Sequence, residues 1–183
     1  MNINGDIVLG WALGVISSLL TGLFMFWLEG KRELRTSRRE QRRDDIRVAR
    51  NWANDGKKIS LRGFDLKGAN LSGKDFAGAD LEDADLEGAQ MWEPNFNKAN
   101  LIRANFRNAT IVKGNFRGAK FHSTDFSGAI IRESDFSETR LRKTKFAKAK
   151  EVKDCTWIAV EIDETTELTP ELRREIEQIS QSG

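Results

Sequence analysis

Histidine and cysteine occur once each in this chain, and proline only twice. A single cysteine, Cys155, excludes an intramolecular disulfide and agrees, weakly, with a reducing compartment. With one histidine and one cysteine, no cluster has the ligand spacing of a metal site. His122 follows Phe121 in an outward polar slot and reads as a surface side chain. No glycine-rich phosphate loop is present. With nucleophile, base and metal sets all missing, the sequence predicts a non-enzyme, with no cofactor and no small-molecule substrate.

Charge is absent from residues 7–28. A helix over that stretch spans ~33 Å, close to the ~30 Å hydrocarbon core of a bilayer. Trp11 and Trp27 lie near its ends, where membrane-interface anchors belong. A cleaved signal peptide needs a basic start and a small-residue cleavage site, and no Lys or Arg precedes this segment. The sequence therefore predicts a retained, single transmembrane helix. Between residues 31 and 50 nine basic side chains stand against four acidic ones, a local +5 that the overall +2 hides. Basic residues stay on the cytoplasmic side, which places the N-terminus outside and the remainder inside. Lys31, Arg32, Arg35, Arg38 and Arg39 lie close enough to an anionic leaflet to gain about 1 kcal/mol each. Gly10, Gly14, Ser18 and Gly22 recur every four residues. Such a stripe lets helix backbones approach closely, so self-association is expected alongside contact with membrane lipids. Residues 29–54 are rich in Arg and Glu and free of Pro, which predicts that the helix continues. Nucleic-acid binding by this run is disfavoured, because it abuts the apolar segment and lacks interleaved aromatics.

From Leu61 onward a large apolar residue recurs every five positions. The set is Leu61, Leu66, Leu71, Phe76, Leu81, Leu86, Met91, Phe96, Leu101, Phe106, Ile111, Phe116, Phe121, Phe126, Ile131, Phe136, Leu141 and Phe146. On an α-helix this spacing scatters side chains around the axis. On a flat strand an odd period alternates faces. A chain that turns a corner every five residues gathers them into one core, as a solenoid. A small residue, usually Ala, sits two places before most of these positions, and Asp or Asn sits between. Asp and Asn tolerate turns and hydrogen-bond nearby backbone. Carboxylates such as Asp75, Asp80, Asp85 and Glu87 recur because the unit does, which gives no ground for pairing them as acid and base.

Runs such as Ala69-Asn70-Leu71-Ser72-Gly73 and Ala79-Asp80-Leu81-Glu82-Asp83 resemble the pentapeptide-repeat family over residues 59–150. The resemblance implies a β-solenoid, a right-handed quadrilateral β-helix of four pentads per coil. About four and a half coils would give a rod ~22 Å long. Lys74, Pro94, Gly114, Thr124, Ser134, Thr139 and Thr144 replace the small alanine. Pro94 is expected to cost a ladder bond or bend the chain, and Lys74 to reach out past its corner. Some members of the family imitate duplex DNA and bind type II topoisomerases, which requires an acidic rod. Residues 59–93 carry three basic and eight acidic side chains, a net −5, but residues 94–150 carry thirteen and four, a net +9. The basic distal half disfavours that mimicry.

Both ends of the coil call for covers, since an open coil end exposes unpaired strand edge. Ile46, Ala49, Trp52 and Ala53 form an apolar face suited to plug the first coil. At the other end Thr169 offers an N-cap and Pro170 a first helical position. A short helix over 170–180 would turn Leu172, Ile176 and Ile179 inward. The predicted organisation is thus an N-terminal segment, 1–28, with its transmembrane helix over 7–28. A basic juxtamembrane helix and linker (29–58), the repeat β-helix (59–150) and a C-terminal capping segment (151–183) follow. The leading functional expectation is a membrane-anchored, oligomeric scaffold that presents a rigid surface to an unidentified cytoplasmic protein. Arg103, Arg107, Lys113, Arg117, Lys120, Arg140, Arg142, Lys143 and Lys145 form the candidate partner-binding basic face. The alternatives are a membrane-perturbing effector or channel-like bundle of the helices and, more weakly, a nucleic-acid binder using the basic distal repeats.

Overall fold

The computed structural model describes residues 3–56 and 59–181, with side chains described for 20–56 and 59–179. The chain divides into two compact units, Met1–Gln41 and Arg42–Gly183. One continuous helix, α1 (Ile3–Asn51), contributes to both. Among the described residues no helix is long and apolar enough to cross a membrane. The transmembrane span predicted over 7–28 is therefore not found. Most of that apolar stretch, with Gly10, Trp11, Gly14 and Ser18, lies outside the residues whose side chains are described, and the rest of α1 is rich in Arg and Glu. Within the first unit Gly22 faces open space, and the Lys31 Nζ sits 3.7 Å over the Trp27 ring.

The second unit is a β-solenoid built on the five-residue period. Six short strands are regular enough to name: β1 (Gln90–Trp92), β2 (Thr110–Val112), β3 (Lys120–His122), β4 (Ile130–Arg132), β5 (Arg140–Arg142) and β6 (Glu151–Lys153). All pairs are parallel, and partners lie twenty residues apart through most of the coil, as in Met91 with Ile111. Four pentads thus complete one circuit. The ladder β1–β2–β4–β6 spans three full turns. Along another edge, bridges from Asp65 through Asp85, Asn105, Asp125 and Lys145 to Glu167 continue the stacking. Past Phe146 the offset grows, with Ile130 opposite Glu151 and Lys145 opposite Glu167. The coil absorbs the extra residues and runs on beyond the last regular pentad.

Asp and Asn make most of the corners. Their Oδ1 accepts the N–H two residues on, as Asp85 accepts from Glu87 at 3.2 Å. Three also bond between coils: Asn95 donates to Asp75 at 2.8 Å, Asn100 to Asp80 at 3.0 Å and Asn105 to Asp85 at 3.0 Å. The residue two after the large apolar one lies at positive φ, between 50° and 73° from Gly63 to Lys143. The fold imposes that conformation on Lys98, Ser123 and Glu133 as well as on glycines, although left-handed backbone costs L-residues roughly 1–2 kcal/mol. Ser123→Gly is accordingly expected to raise stability by about 0.5–1 kcal/mol after glycine's own entropy cost. Gly128→Ala should lower it by about 1–3 kcal/mol, since the new Cβ would run into the Asn108 side chain. Urea unfolding of the two variants checks both signs.

The departures from alanine at the inward small position are locally satisfied. Thr124 Oγ1 donates to Leu101 O at 2.8 Å and Thr139 Oγ1 to Phe136 O at 2.6 Å. Ser134 Oγ donates to Arg132 O and accepts the Gly114 N–H at 3.0 Å. A Cβ on Gly114 would lie 2.9 Å from both Ile111 and Phe116, so the core leaves no room for alanine there. Lys74 is half-buried. The expectation of a lost ladder bond at Pro94 is not met. Asn95 N still donates to Lys74 O and Asn115 N to Pro94 O, each at 2.9 Å. At the equivalent corner the Gly114 N–H serves a side chain and not the ladder, so proline gives up little at this position.

Two of the four inward columns are stacked rings; the others are filled mainly by Leu, Ile and Met. Phe76, Phe96, Phe116, Phe136 and Trp157 follow one another with centroids 5.2, 5.1, 4.8 and 4.8 Å apart. Phe106, Phe126 and Phe146 stack at 4.9 and 4.6 Å. These spacings match the rise between parallel strands. Edge-on contacts near 6 Å, such as Phe96 with Phe106 at 6.0 Å, join the columns.

At the start of the coil, the last turns of α1 take the place of a missing layer. Ala49 and Trp52 are buried, and Ile46 and Val48 pack against the core. Ala53, expected on that face, is exposed and Val48 replaces it. Trp52 lies 6.3 Å from Phe76, extending the first ring column. Its Nε1 donates to Ile59 O at 2.7 Å. The buried Asp45 accepts the Asp65 N–H at 3.0 Å, Arg42 donates to Lys67 O, and Arg50 donates to Asn70 O at 3.2 Å. Those backbone groups would otherwise face a neighbouring coil that does not exist. At the far end α2 (Pro170–Gln181) is capped by Thr169 Oγ1, which accepts the Leu172 N–H at 3.2 Å. Leu172 and Ile176 are buried and Ile179 partly so. Arg173 donates to Thr166 O at 2.9 Å, the counterpart of what Arg42 and Arg50 do at the start.

Candidate partner-binding face

Alternation along each strand sends the large apolar residue inward and its two neighbours outward. In β3 and β5 this buries Phe121 and Leu141 and turns Lys120, His122, Arg140 and Arg142 out. The register sets Lys120 beside Arg140 and His122 beside Arg142. Gly118 and Ala159 lack bulk at the adjoining corner, so a groove of about 500 Å³ opens, lined also by Ile102, Phe121, Glu138 and Glu161. The lone histidine, expected as a plain surface side chain, is half-buried in this wall.

The nine cations predicted as one basic face do not share one. Lys120, Arg140 and Arg142 stand on the β3–β5 face, with Arg103 one coil earlier and Lys143 at its far corner. Lys145 and Arg107 belong to the following edge of the coil. Lys113 follows β2, on the β1–β2–β4–β6 face, and Arg117 lies on the edge between β2 and β3.

Most of the arginines are already engaged across coils. Arg103 donates to Asp83 at 2.6 and 2.8 Å and also to Glu82. Those hydrogen bonds hold the Asp83 carboxyl below the usual carboxylate range. Arg62 grips the same Glu82 from the other side at 2.9 and 3.0 Å. Arg117 pairs with Glu138 at 2.6 Å, Arg140 with Glu161 at 2.8 Å, Arg107 with Asp125 at 3.7 Å and Arg142 with Asp163 at 4.0 Å. Arg132, outside the predicted set, pairs with Glu151 at 2.6 Å and lowers that carboxyl's pKa through the hydrogen bond. These exposed pairs contribute little to stability, but they lower the positive potential the arginines project. Lys113, Lys120, Lys143 and Lys145 have no ion pair among the described residues.

A family model described as pentapeptide repeats matches residues 59–92, 84–122 and 119–150, with eight copies of the repeat. Together the matches cover half of the chain. The chain belongs to the pentapeptide-repeat family. No curated protein matches it. Among solved structures, the pentapeptide-repeat protein Rfr23 from the cyanobacterium Cyanothece 51142 is 17% identical, with a TM-score of 0.38, over 58% of this chain and 89% of that one. HetL from the cyanobacterium Nostoc, involved in heterocyst differentiation regulation, is 22% identical with a TM-score of 0.31, over 57% and 62%. A pentapeptide-repeat protein of the Arabidopsis thaliana thylakoid lumen is 21% identical with a TM-score of 0.30, over 64% and 77%.

In this pentapeptide-repeat chain the sequence reading missed the acidic partners supplied by the tail. Residues 151–183 hold nine acidic and three basic side chains, a net −6. Glu151, Glu161 and Asp163 reach their arginines only because the register lengthens after Phe146. The composition of the tail was readable; the pairing was not. Cys155 is partly buried, and burial pushes its thiol up to about 11. It offers no reactive thiolate.

Proposed function

We propose that this chain is a membrane-tethered, self-associating pentapeptide-repeat scaffold. Its β-solenoid offers a rigid, non-enzymatic surface to a cytoplasmic protein. The observation that carries the tether is a run on α1: Leu23, Phe24, Met25, Phe26 and Trp27 are each more than half exposed. At 100° per residue five consecutive positions go all the way round the helix. No single neighbour covers them, whereas hydrocarbon would cover them on every side. The Lys31 ammonium over Trp27 is a cation–π pair placed where an interfacial anchor would sit. For the scaffold role, the support is a core of stacked rings that holds every outward side chain in register, in a family whose members are generally non-enzymatic scaffolds.

In native membranes the full chain should resist extraction by alkaline carbonate, and its release would remove the tether. For assembly, Gly14→Leu should shrink the particle measured in mild detergent. An unchanged size would discharge the small-residue stripe, and a wild-type monomer would discharge self-association.

A further inference from the structure

The partner can be given a chemistry, on the footing of the scaffold reading. We propose that the β3–β5 face binds a short acidic segment of a partner protein, gripped by Lys120 in the groove wall and by Lys143 at the far corner of the same face.

Charge on this face is banded. Successive coils present Asp80, Glu82 and Asp83, then Arg103, then Lys120 with His122, then Arg140, Arg142 and Lys143, then Glu161, Asp163 and Glu164. The cations at the rims of the basic band are spoken for: Arg103 by Asp83, Arg140 by Glu161 and Arg142 by Asp163. Lys120 and Lys143 have no ion pair among the described residues. The uncompensated positive potential therefore centres on them, and Lys120 lines a groove of about 500 Å³ with Ile102 and Phe121 in its wall. The groove's carboxylates, Glu138 and Glu161, are already paired with Arg117 and Arg140, so a groove with Ile102 and Phe121 in its wall and the unpaired Lys120 beside them suits a peptide that alternates carboxylates with small or apolar residues.

The bands also discriminate among occupants. The basic zone is about three layers deep, or ~15 Å along the coil axis. A nucleic-acid duplex carries a charge every ~1.7 Å and, lying along the rod, would meet the carboxylates at both rims. A second copy fares no better, because the order acid, base, acid reads the same in either direction. Two-fold pairing of the face with itself would lay like charge on like. A short acidic segment crossing the middle of the face meets neither obstacle.

Fluorescence anisotropy on the full chain in neutral detergent tests this. The probes are a short labelled Glu/Ser peptide, its Lys/Ser counterpart and a short DNA duplex. The Glu/Ser peptide should bind at low salt, and Lys120→Glu with Lys143→Glu should weaken it about tenfold or more. Lys113→Glu, on another face, should leave binding unchanged. The milder pair Lys120→Gln with Lys143→Gln should show a smaller loss in the same order, with melting curves confirming that the variants fold. Equal losses for Lys113→Glu and the double variant would overturn the inference in favour of diffuse charge. Tighter binding of the duplex, lost in the same double variant, would overturn it in favour of nucleic acid. No peptide binding would overturn it outright. Neighbours crosslinked in native membranes to wild type and double variant alike would also sink it, while leaving the scaffold reading intact.

Discussion

Phe116→Ala is expected to lower the unfolding free energy by about 3–5 kcal/mol, among the largest effects available to one substitution in this chain. Phe116 is fully buried. Its ring stacks on Phe96 at 5.1 Å and on Phe136 at 4.8 Å, and meets Phe106 edge-on at 6.2 Å and Phe121 at 5.8 Å. The layers above and below are held apart by ladder bonds on every edge, so they cannot collapse into the space left behind. The cavity term therefore survives nearly whole. Stability in a stacked coil is a sum of layer and interface contributions, and removing a mid-column ring weakens two interfaces at once. Phe116→Leu, which keeps most of the volume, should cost no more than about 1.5 kcal/mol. Urea unfolding followed by tryptophan fluorescence measures both, with Trp157 at the end of the same column as a reporter. A loss under about 1 kcal/mol for the alanine variant would mean that the column is not the core's main support.

The second large effect is expected at the opposite kind of position, where the column ends. Trp52→Ala should cost about 3–5 kcal/mol, because it removes the buried indole that extends the column past Phe76. It also frees the Ile59 carbonyl that the indole N–H satisfies. Asp45→Ala should cost about 1–3 kcal/mol by leaving the Asp65 N–H buried without its carboxylate. Together the two changes uncover the first coil, and an uncovered parallel edge is a template for other chains. The double variant should therefore aggregate at concentrations where the wild type does not, as read by size-exclusion chromatography and light scattering. A double variant that stays dispersed would show that Arg42 and Arg50 cover the edge by themselves. The C-terminal cover follows the same design, with Thr169 starting α2 and Arg173 reaching back to Thr166 O.

Much of this was legible in the residues. The five-residue period from Leu61 to Phe146 dictated a coil, because no straight element gathers that spacing into one interior. Asp and Asn at the corners announced their Asx bonds. The cap residues Thr169 and Pro170, the inward face of α2, and the plugging role of Ala49 and Trp52 all rest on local patterns of a few residues. The candidate site was far less legible. Nine cations between Arg103 and Lys145 looked like one basic face, but the four edges of the coil distribute them. Carboxylates some twenty residues away pair with all five of the arginines among them, and only a twenty-residue stacking rule could reveal that. Even that rule fails after Phe146.

Composition and spacing by themselves determined that the chain winds, since side-chain alternation and turn chemistry act over five residues at a time. Tertiary stacking alone decided which residues become neighbours across layers: Glu161 against Arg140, Trp157 on Phe136, Asp45 at the bare edge of Asp65. The reason is register. A slip of one or two residues leaves every local preference satisfied, yet it changes each contact between coils, and with it the charges the surface presents.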